Sequence, residues 1–503
     1  MTSSSSAAAS NSTAALSILG IALLLGIGGD VLLHDVGWGL NFAVWIATLV
    51  SQAVYLGREH APDRTLRSRW LLLPAVGFAL CLAWRDSGFL RFLDVLAVVA
   101  ALALPLLPAW DVRLVAARVV DFAAALASTL GHLGFGSGFL LAQDVRWSEV
   151  RREEALRRSG AVVAGLLLAV PILLVFGALF ASADPVFGGL AEDLFDWNVP
   201  PLVTHTLLAG LLASIAAGFL RAQLLSTRLW APATTPRERQ SAGIVSLGIA
   251  LGAMILVFVL FVAVQARYLF AGDAFVRATT GLTLAEYARR GFFELVTAAA
   301  LAVPLLYCAE WLLDKRDPKA VRSFQALGIT QMLLVGLVML SALQRMRLYT
   351  GAYGLTEDRL YGTAFMMWIA FVLAWFGITV LRGRRERFAF GAVVSGFATL
   401  GMLNVINPDA VVVRTNVGRA ASAARFDGGY LSTLSADAVP ALVARLGSLH
   451  EEERCDVARR LRGRGKRDAV QDWRSWSLAR HRAVVALRRL DLVGLGCEEP
   501  SRL

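Results

Sequence analysis

Runs of about 20 apolar residues recur from the N-terminal region to position 405, a length that carries an α-helix across roughly 30 Å of hydrocarbon. Each run closes on a short polar stretch and lacks the two-residue alternation of a half-buried strand, so the pattern predicts helices. The spans fall at 15–33, 40–56, 70–84, 93–110, 161–180, 202–220, 243–264, 291–313, 326–348, 361–380 and 388–405. That makes about eleven crossings and an all-α fold class, a polytopic transmembrane helix bundle with a small helical C-terminal domain.

Some stretches depart from this pattern. Residues 1–14 are Ser, Ala, Asn and Thr after the first Met and read as a disordered lead; with no Lys or Arg before Arg58, the basic region of a cleaved signal peptide is missing. Between the first helix group (15–110) and the second (161–408) lies the segment 111–160. Its apolar part, 119–145, carries Asp121, His132 and Gly131, Gly134, Gly136 and Gly138, and both flanks are basic: Arg113 and Arg118 before it, Arg146 onward after it. The expectation is a cytoplasmic interfacial or re-entrant helix. If it crossed, every later loop would change sides. After Asn407-Pro408 the character changes again, and 409–503 reads as a soluble tail. Helices are expected there at 438–446, closed by Gly447, at 451–462, closed by Gly463, and at 468–490, with Trp473, Trp476, Leu478, Val484 and Leu487 as an apolar stripe.

Charge between the runs sets the orientation. One set of loops holds Arg58, Arg64, Arg67 and Arg69; Arg146, Arg151, Arg152, Arg157 and Arg158; Arg221, Arg228, Arg237 and Arg239; Lys315, Arg316, Lys319 and Arg322; and Arg382, Arg384, Arg385 and Arg387. The alternating set is poorer in cations and includes Asp184, Glu192, Asp193 and Asp196. The positive-inside rule makes the first set cytoplasmic, with the N-terminus inside and the tail outside.

Composition agrees: 57% of residues are hydrophobic and 17% charged, and mean hydropathy is +0.60, far from the soluble range. The net charge of +11 is almost wholly Arg. On a chain of this class it is a topology signal, so no nucleic-acid partner is expected. Cys81 and Cys308 lie in apolar runs, whereas Cys455 and Cys497 could pair if the tail is extracytoplasmic. The six histidines show no ligand spacing, so no metal site and no cofactor are expected. Gly210, Ser214 and Gly218, and Gly248 and Gly252, have the small-residue spacing of close helix contact.

Polar chemistry gathers at one end of neighbouring spans. Thr283 and Glu286 fit a capping box, and Glu286, Arg290 and Glu294 follow on one helical face beside Tyr287. Glu294 then lies about 16 Å along the helix from its cap, where an isolated carboxylate needs a partner, and Arg290 is nearest. The next span emerges on the same side through Gln344, Arg345, Arg347, Tyr349 and Tyr353. Gly354 is placed to end that helix, and Thr356-Glu357-Asp358 to start the next, which carries Arg359 and Tyr361. Asp30, Arg91, Asp94, His205, Gln265, Asn404 and Asp409 belong to that end as well, while the other half of the spans offers little beyond Glu310 and Gln331. The binding candidates are Tyr287, Arg290, Glu294, Arg345, Arg347, Tyr349, Tyr353, Arg359 and Asn404, lining an outward-facing polar cavity. No residue is assigned a catalytic role.

The stretches YARRGFFEL, RMRLYTGAYGLTEDRLY, VINPDAVVVRTN and LSADAVPAL, with ASADPVF and WRDSGFL upstream, resemble a bacterial multi-pass membrane family known as a domain of unknown function, the 4153/4173 group. The resemblance runs from about Trp84 into the tail. It implies a helical fold in the bacterial inner membrane and transfers no catalytic residues.

Three functions fit this reading. The first is transport or handling of a polar or anionic solute or lipid through the outward cavity, although no inverted repeat or paired broken helices accompany it. The second is a membrane-anchored sensor, scaffold or assembly factor acting through the C-terminal domain. The third is an outer-leaflet lipid-modifying enzyme, for which no nucleophile with a partnered base is evident. Membrane lipids are expected partners, with a protein partner for the tail and a homo-oligomer as open additions.

Overall fold

The computed structural model describes residues 2–60, 68–145, 201–225, 243–270, 292–420, 426–467 and 472–497, with isolated positions at 62 and between 169 and 189. It is all-α, with no strand among the described residues. Ten of the described helices are long and apolar enough to cross a membrane. Most coincide with the apolar runs of the sequence. Arg69–Trp84 forms a shorter apolar helix, Val119–Asp144 joins the set by length and composition, and the run at 161–180 lies outside the described residues.

The chain divides into two compact units. The first holds Met1–Leu114, Val120–Pro232 and the short tail piece Val470–Leu478. Its helices are α1 (Thr2–Leu33), α2 (Leu40–His60), α3 (Leu73–Trp84, led by a 3-10 turn at Arg69–Leu72), α4 (Gly88–Ala103), α5 (Val119–Phe139) and α6 (Pro201–Leu224). Leu140–Asp144 extends α5 as a π-helical turn.

Small residues let α1 and α6 pack backbone to backbone. A methyl group at Gly26 would lie 2.6 Å from the Ala213 Cβ, and one at Gly29 would lie 2.7 Å from Leu212. The two helices run antiparallel, since the end of α1 meets the start of α6 through Asp30 and His205. Trp45 Nε1 donates to Leu25 O and Asn41 Nδ2 to Leu32 O, which sets α2 antiparallel to α1. The α3–α4 turn returns to the α1–α2 loop, where Arg91 pairs with Asp86 and donates to Trp38 O. At the opposite end Gln223 Nε2 donates to Leu102 O, so α4 and α6 run parallel.

The second unit holds Val115–Val119, Ala233–Ala469 and Ala479–Leu503. Its long helices are α7 (Ile244–Phe270), α8 (Phe292–Leu312), α9 (Pro318–Tyr353), α10 (Glu357–Thr379) and α11 (Phe388–Ile406). Leu306, Phe324, Val335, Phe376 and Phe388 are at the centre of their shared core. Pro318 opens α9 behind Asp317, whose carboxylate accepts from Lys319 N, the arrangement of an N-cap with proline in the first turn. At about 54 Å, α9 exceeds a perpendicular crossing by several turns. Gly354 stops it at φ +84°, as its position in the sequence anticipates. Asn407, at φ +60°, ends α11 before Pro408 opens the next helix.

The tail forms α12 (Pro408–Ala420), α13 (Gly428–Thr433), α14 (Val439–Val443), α15 (Glu451–Arg467) and α16 (Leu478–Arg488). Val412, Val413, Val439, Leu442, Val457 and Leu461 form a core of their own, with Leu355 and Leu360 against it. Two expectations change here. Helix α15 runs through Gly463 and Gly465 to Arg467 rather than stopping at the first glycine, because each glycine costs only about 1 kcal/mol in a helix whose other face is packed. The helix expected at 468–490 is interrupted: Asp472 caps a 3-10 turn at Trp473–Ser475, and α16 begins only at Leu478. Trp473 is accordingly exposed, and the turn serves the first unit instead of a continuous apolar stripe.

Candidate functional site

The RMRLYTGAYGLTEDRLY motif spans the end of α9, the turn at Gly354 and the start of α10. Its aromatic and basic groups meet each other: Tyr349 and Tyr353 pack edge to face at 5.1 Å, and the Arg359 guanidinium lies 4.0 Å over the Tyr349 ring. Arg359 Nη1 also donates to Gly354 O. Arg345, one turn back, is buried and donates to Gln265 Oε1 on α7 at 2.6 Å, an oxygen that also accepts from Ser341. A charge there needs such fixed dipoles to offset its desolvation.

The other binding candidates do not all converge on this group. Arg347, about 200° around the helix from Arg345, is exposed, as is Glu294 in the first turn of α8. Asn404 is buried in α11, where its amide donates to Leu400 O one turn back. Tyr287 and Arg290, with the capping box at Thr283 and Glu286, lie outside the described residues.

What the motif does hold is the tail. Asn416 on α12 accepts from Leu355 N at 2.8 Å and donates to Leu355 O at 2.7 Å. Arg419 donates to Gly351 O, in the last turn of α9, and at 2.8 Å to Thr350 O, which also accepts from Gly354 N. Tyr430 of α13 accepts from Glu357 N at 3.0 Å, satisfying one of the free amides at the start of α10. Beneath this clasp, Asp409 is fully buried: its Oδ2 accepts from Ser435 Oγ and N, and Oδ1 has no donor. Burial pushes the Asp409 carboxyl up to about 7; nearby Glu357 adds to the rise and the Ser435 bonds oppose it. Burial likewise raises the Tyr430 phenol. The tail is further tied by a Cys455–Cys497 disulfide with Cα atoms 5.3 Å apart.

A second polar group lies at the joint of α1, α2 and α6. His205 Nδ1 is 2.7 Å from Asp30 Oδ2, and the His34 and His205 rings stack with centroids 3.9 Å apart. His34 reaches Asp35 with Nδ1 at 3.1 Å and Thr204 with Nε2 at 3.2 Å. Asp35 sits in the left-handed region at φ +53°, which turns the chain sharply after α1. The piece at 470–478 fastens to the same loop: Trp476 O accepts from Leu40 N, Arg474 donates to Val31 O, and Gly39 passes against the Ser475 backbone. No spacing along the chain announces this cluster. The available signal was that Asp30 and His205 belong to the same end of their spans.

Deeper in the first unit, Arg221 is 1% exposed. It meets Asp144 through Nε and His132 through Nη1, with the Phe139 ring 5.6 Å below. Here α5 crosses α6 at close range: a methyl group on Gly136 would fall 2.7 Å from the Gly218 Cα, one on Gly218 would strike the His132 carbonyl, and Ser137 bonds Ser214 at 2.6 Å. Of the small residues noted in the sequence, Ser214 and Gly218 serve a contact, whereas Gly210, Gly248 and Gly252 have open space. In the second unit, Glu310 is neutralised by Lys315 and by Arg385 at 2.9 Å, and Arg385 lies 5.2 Å over Tyr307.

Fold and polar groups together define a multi-pass α-helical membrane protein whose tail is bonded to the ends of its spans. Residues 72–444 match the model of the domain of unknown function DUF4153, and the chain belongs to that family. No curated protein and no solved structure matches it.

Proposed function

We propose that this protein is a membrane-anchored scaffold or sensor whose C-terminal domain is the working module, held in a defined pose by the ends of the spans. The observation that carries the reading is the clasp of Asn416, Arg419 and Tyr430 on residues 350–357. It is the backbone of the strongest motif that docks the tail: Thr350 O, Gly351 O, Leu355 N and O, and Glu357 N each bond a tail side chain. Two bonds from one side-chain amide to the backbone of one residue specify orientation, which a presenting domain needs and a tether does not.

The reading places the tail outside a bacterial inner membrane and the N-terminus in the cytosol. Its supports are the arginine-rich loops and the disulfide, which persists in oxidising compartments. The reading also leaves α5 uncrossed. Because α4 and α6 run parallel, an odd number of crossings separates them; the run at 161–180 supplies one, so 119–144 does not add another.

The test is cross-linking in cells of the full chain, a chain ending at Ile406 and the double variant Asn416→Ala/Arg419→Ala. Recovery of one extracytoplasmic protein with the full chain, and its loss from both altered chains, is the expected result. An identical recovered set from all three overturns the reading.

Transport or handling of a polar solute or lipid is the second reading, and the buried Arg345 with Gln265 and Ser341 favours it. Flux into proteoliposomes that falls in Arg345→Ala and Glu294→Gln would support it, and unchanged flux in both removes it. The lipid-modifying enzyme ranks below these, since Ser435, a hydroxyl bonded to a carboxylate, meets an Asp409 that is fully buried in the tail.

A further inference from the structure

We infer that Asp30, His34 and His205 form a binding site for one borderline divalent transition-metal cation of the zinc type. The proposal does not depend on the scaffold reading. One ligand atom from each of the three residues can be chosen so that all lie within 4.8 Å of one another, although His205 enters from a helix some 170 positions further along the chain.

Four observations fit a cation better than a simple ion pair. First, a carboxylate oxygen and an imidazole nitrogen 2.7 Å apart share a single proton. A cation with bonds of about 2.0–2.1 Å can take that proton's place and use both atoms as ligands after a small outward shift, with the His34 ring turning out of its stack on His205 to aim its in-plane lone pair at the same point. Second, Asp35 occupies His34 Nδ1, which leaves Nε2, 3.2 Å from Thr204 Oγ1, as the nitrogen that would take a cation. That carboxylate–imidazole arrangement orients a metal-bound histidine and raises its basicity. Third, Asp30 is 8% exposed and its Oδ1 has no donor, so a buried anionic oxygen remains for a cation to satisfy. Fourth, His205 is about half exposed, which leaves an entry path. Two imidazoles and one carboxylate select zinc-like ions over magnesium or calcium, which prefer oxygen ligands throughout. Thr204 or a water would complete four-coordination.

The location gives such a site a consequence. The α1–α2 turn and the helix ends beside it receive residues 474–476 through Val31, Gly39 and Leu40. A cation pinning α1 to α6 would stiffen the surface on which that piece rests, so loading should slow amide exchange at residues 472–477.

The experiment uses the full chain purified in detergent without a polyhistidine tag. It is stripped with chelator and titrated with Zn²⁺ against a chromophoric competitor, and separately with Co²⁺. The expected result is one equivalent of tight binding, visible Co²⁺ absorption of a tetrahedral nitrogen and oxygen site, and slower exchange at 472–477. His205→Ala and His34→Ala should each weaken binding by more than 100-fold. Asp35→Asn, which touches only the outer shell, should weaken it by about 10–100-fold. His450→Ala should change nothing. Should His205→Ala fail to fold, Asp30→Asn and the Co²⁺ spectrum of the unaltered chain decide instead. Sub-stoichiometric binding, an octahedral aquo-type spectrum, or affinity unchanged in His205→Ala and His34→Ala would mean an adventitious ion only, and would overturn the assignment.

Discussion

Asn416 pairs with both backbone polar atoms of one residue, accepting from Leu355 N and donating to Leu355 O at 2.8 and 2.7 Å. The amide side chain thereby acts as a missing backbone neighbour for the turn that separates α9 from α10. Only a side chain with one donor and one acceptor at this spacing can do so, which makes the contact specific to Asn at this position.

Asn416→Asp keeps the acceptor and loses the donor, leaving Leu355 O without its partner and placing a charge at a half-buried position. The expected cost is about 1–3 kcal/mol of docking stability. Gly354→Ala should be as damaging, because the position has φ +84° and the new methyl would lie 2.6 Å from Asn416 Oδ1. Hydrogen exchange should rise throughout α12 and α13 in both variants while α7 to α11 keep their protection. Unchanged exchange in α12 would show that the clasp carries no stability.

Asp409 makes tail docking pH-dependent. Its carboxyl, buried beside Glu357 and bonded to Ser435, is raised to about 7, with Tyr430 and Asp358 as the other facing groups. A raised folded-state value means the folded chain holds a proton that the unfolded chain releases. Stability from this group is therefore complete below about pH 4 and is lost as pH rises to about 7, with a slope of at most about 1.4 kcal/mol per pH unit. Thermal unfolding of the tail should occur at higher temperature at pH 5 than at pH 8, and Asp409→Asn should flatten the difference. A variant with the same pH profile as the unaltered chain would assign the effect elsewhere.

The crossing of α5 on α6 tolerates no side chain at Gly218, where a methyl group would meet the His132 carbonyl. Gly218→Val should destabilise the first unit by about 1–3 kcal/mol, since backbone must move to admit it. Gly210→Ala, on the same helix and facing open space, should be neutral within about 0.5 kcal/mol. Denaturation in mixed micelles compares the two, and equal stabilities would refute the close crossing.

The Cys455–Cys497 disulfide closes a sequence separation of 42 residues, and its loss should cost the tail about 3–4 kcal/mol by loop entropy. In a Cys81→Ser/Cys308→Ser background, a membrane-impermeant maleimide should label intact spheroplasts only after an impermeant reductant has been added. Labelling confined to lysed cells would put the tail in the cytosol and reverse the proposed orientation.

Much of the architecture is legible in the sequence. Transfer of apolar side chains out of water is a local, nearly additive quantity, so the apolar runs located nine of the ten long helices. Gly354 and Pro408 marked helix ends because their backbone restrictions are local too. Even the shared end of Asp30 and His205 followed from counting alternations. The disputed stretch at 119–144 escaped this logic: its composition suits either a span or an interfacial helix, and only the parallel course of α4 and α6 constrains it.

The sequence by itself determined the class of protein, the approximate spans and the end at which polar groups collect. Tertiary structure alone decided which of those groups touch. Arg345 and Arg347 look equivalent on paper, yet one turns inward to Gln265 and the other outward, because helix rotation is set by packing against neighbours. His34 and His205 meet only because Gly26 and Gly29 allow α1 and α6 to lie so close. The long motif became a dock because Asn416 and Arg419, on a helix beyond the last span, reach back to its backbone at Thr350 and Leu355. Contacts between distant segments depend on rotation and crossing angle, and neither is written in the hydropathy of any single segment.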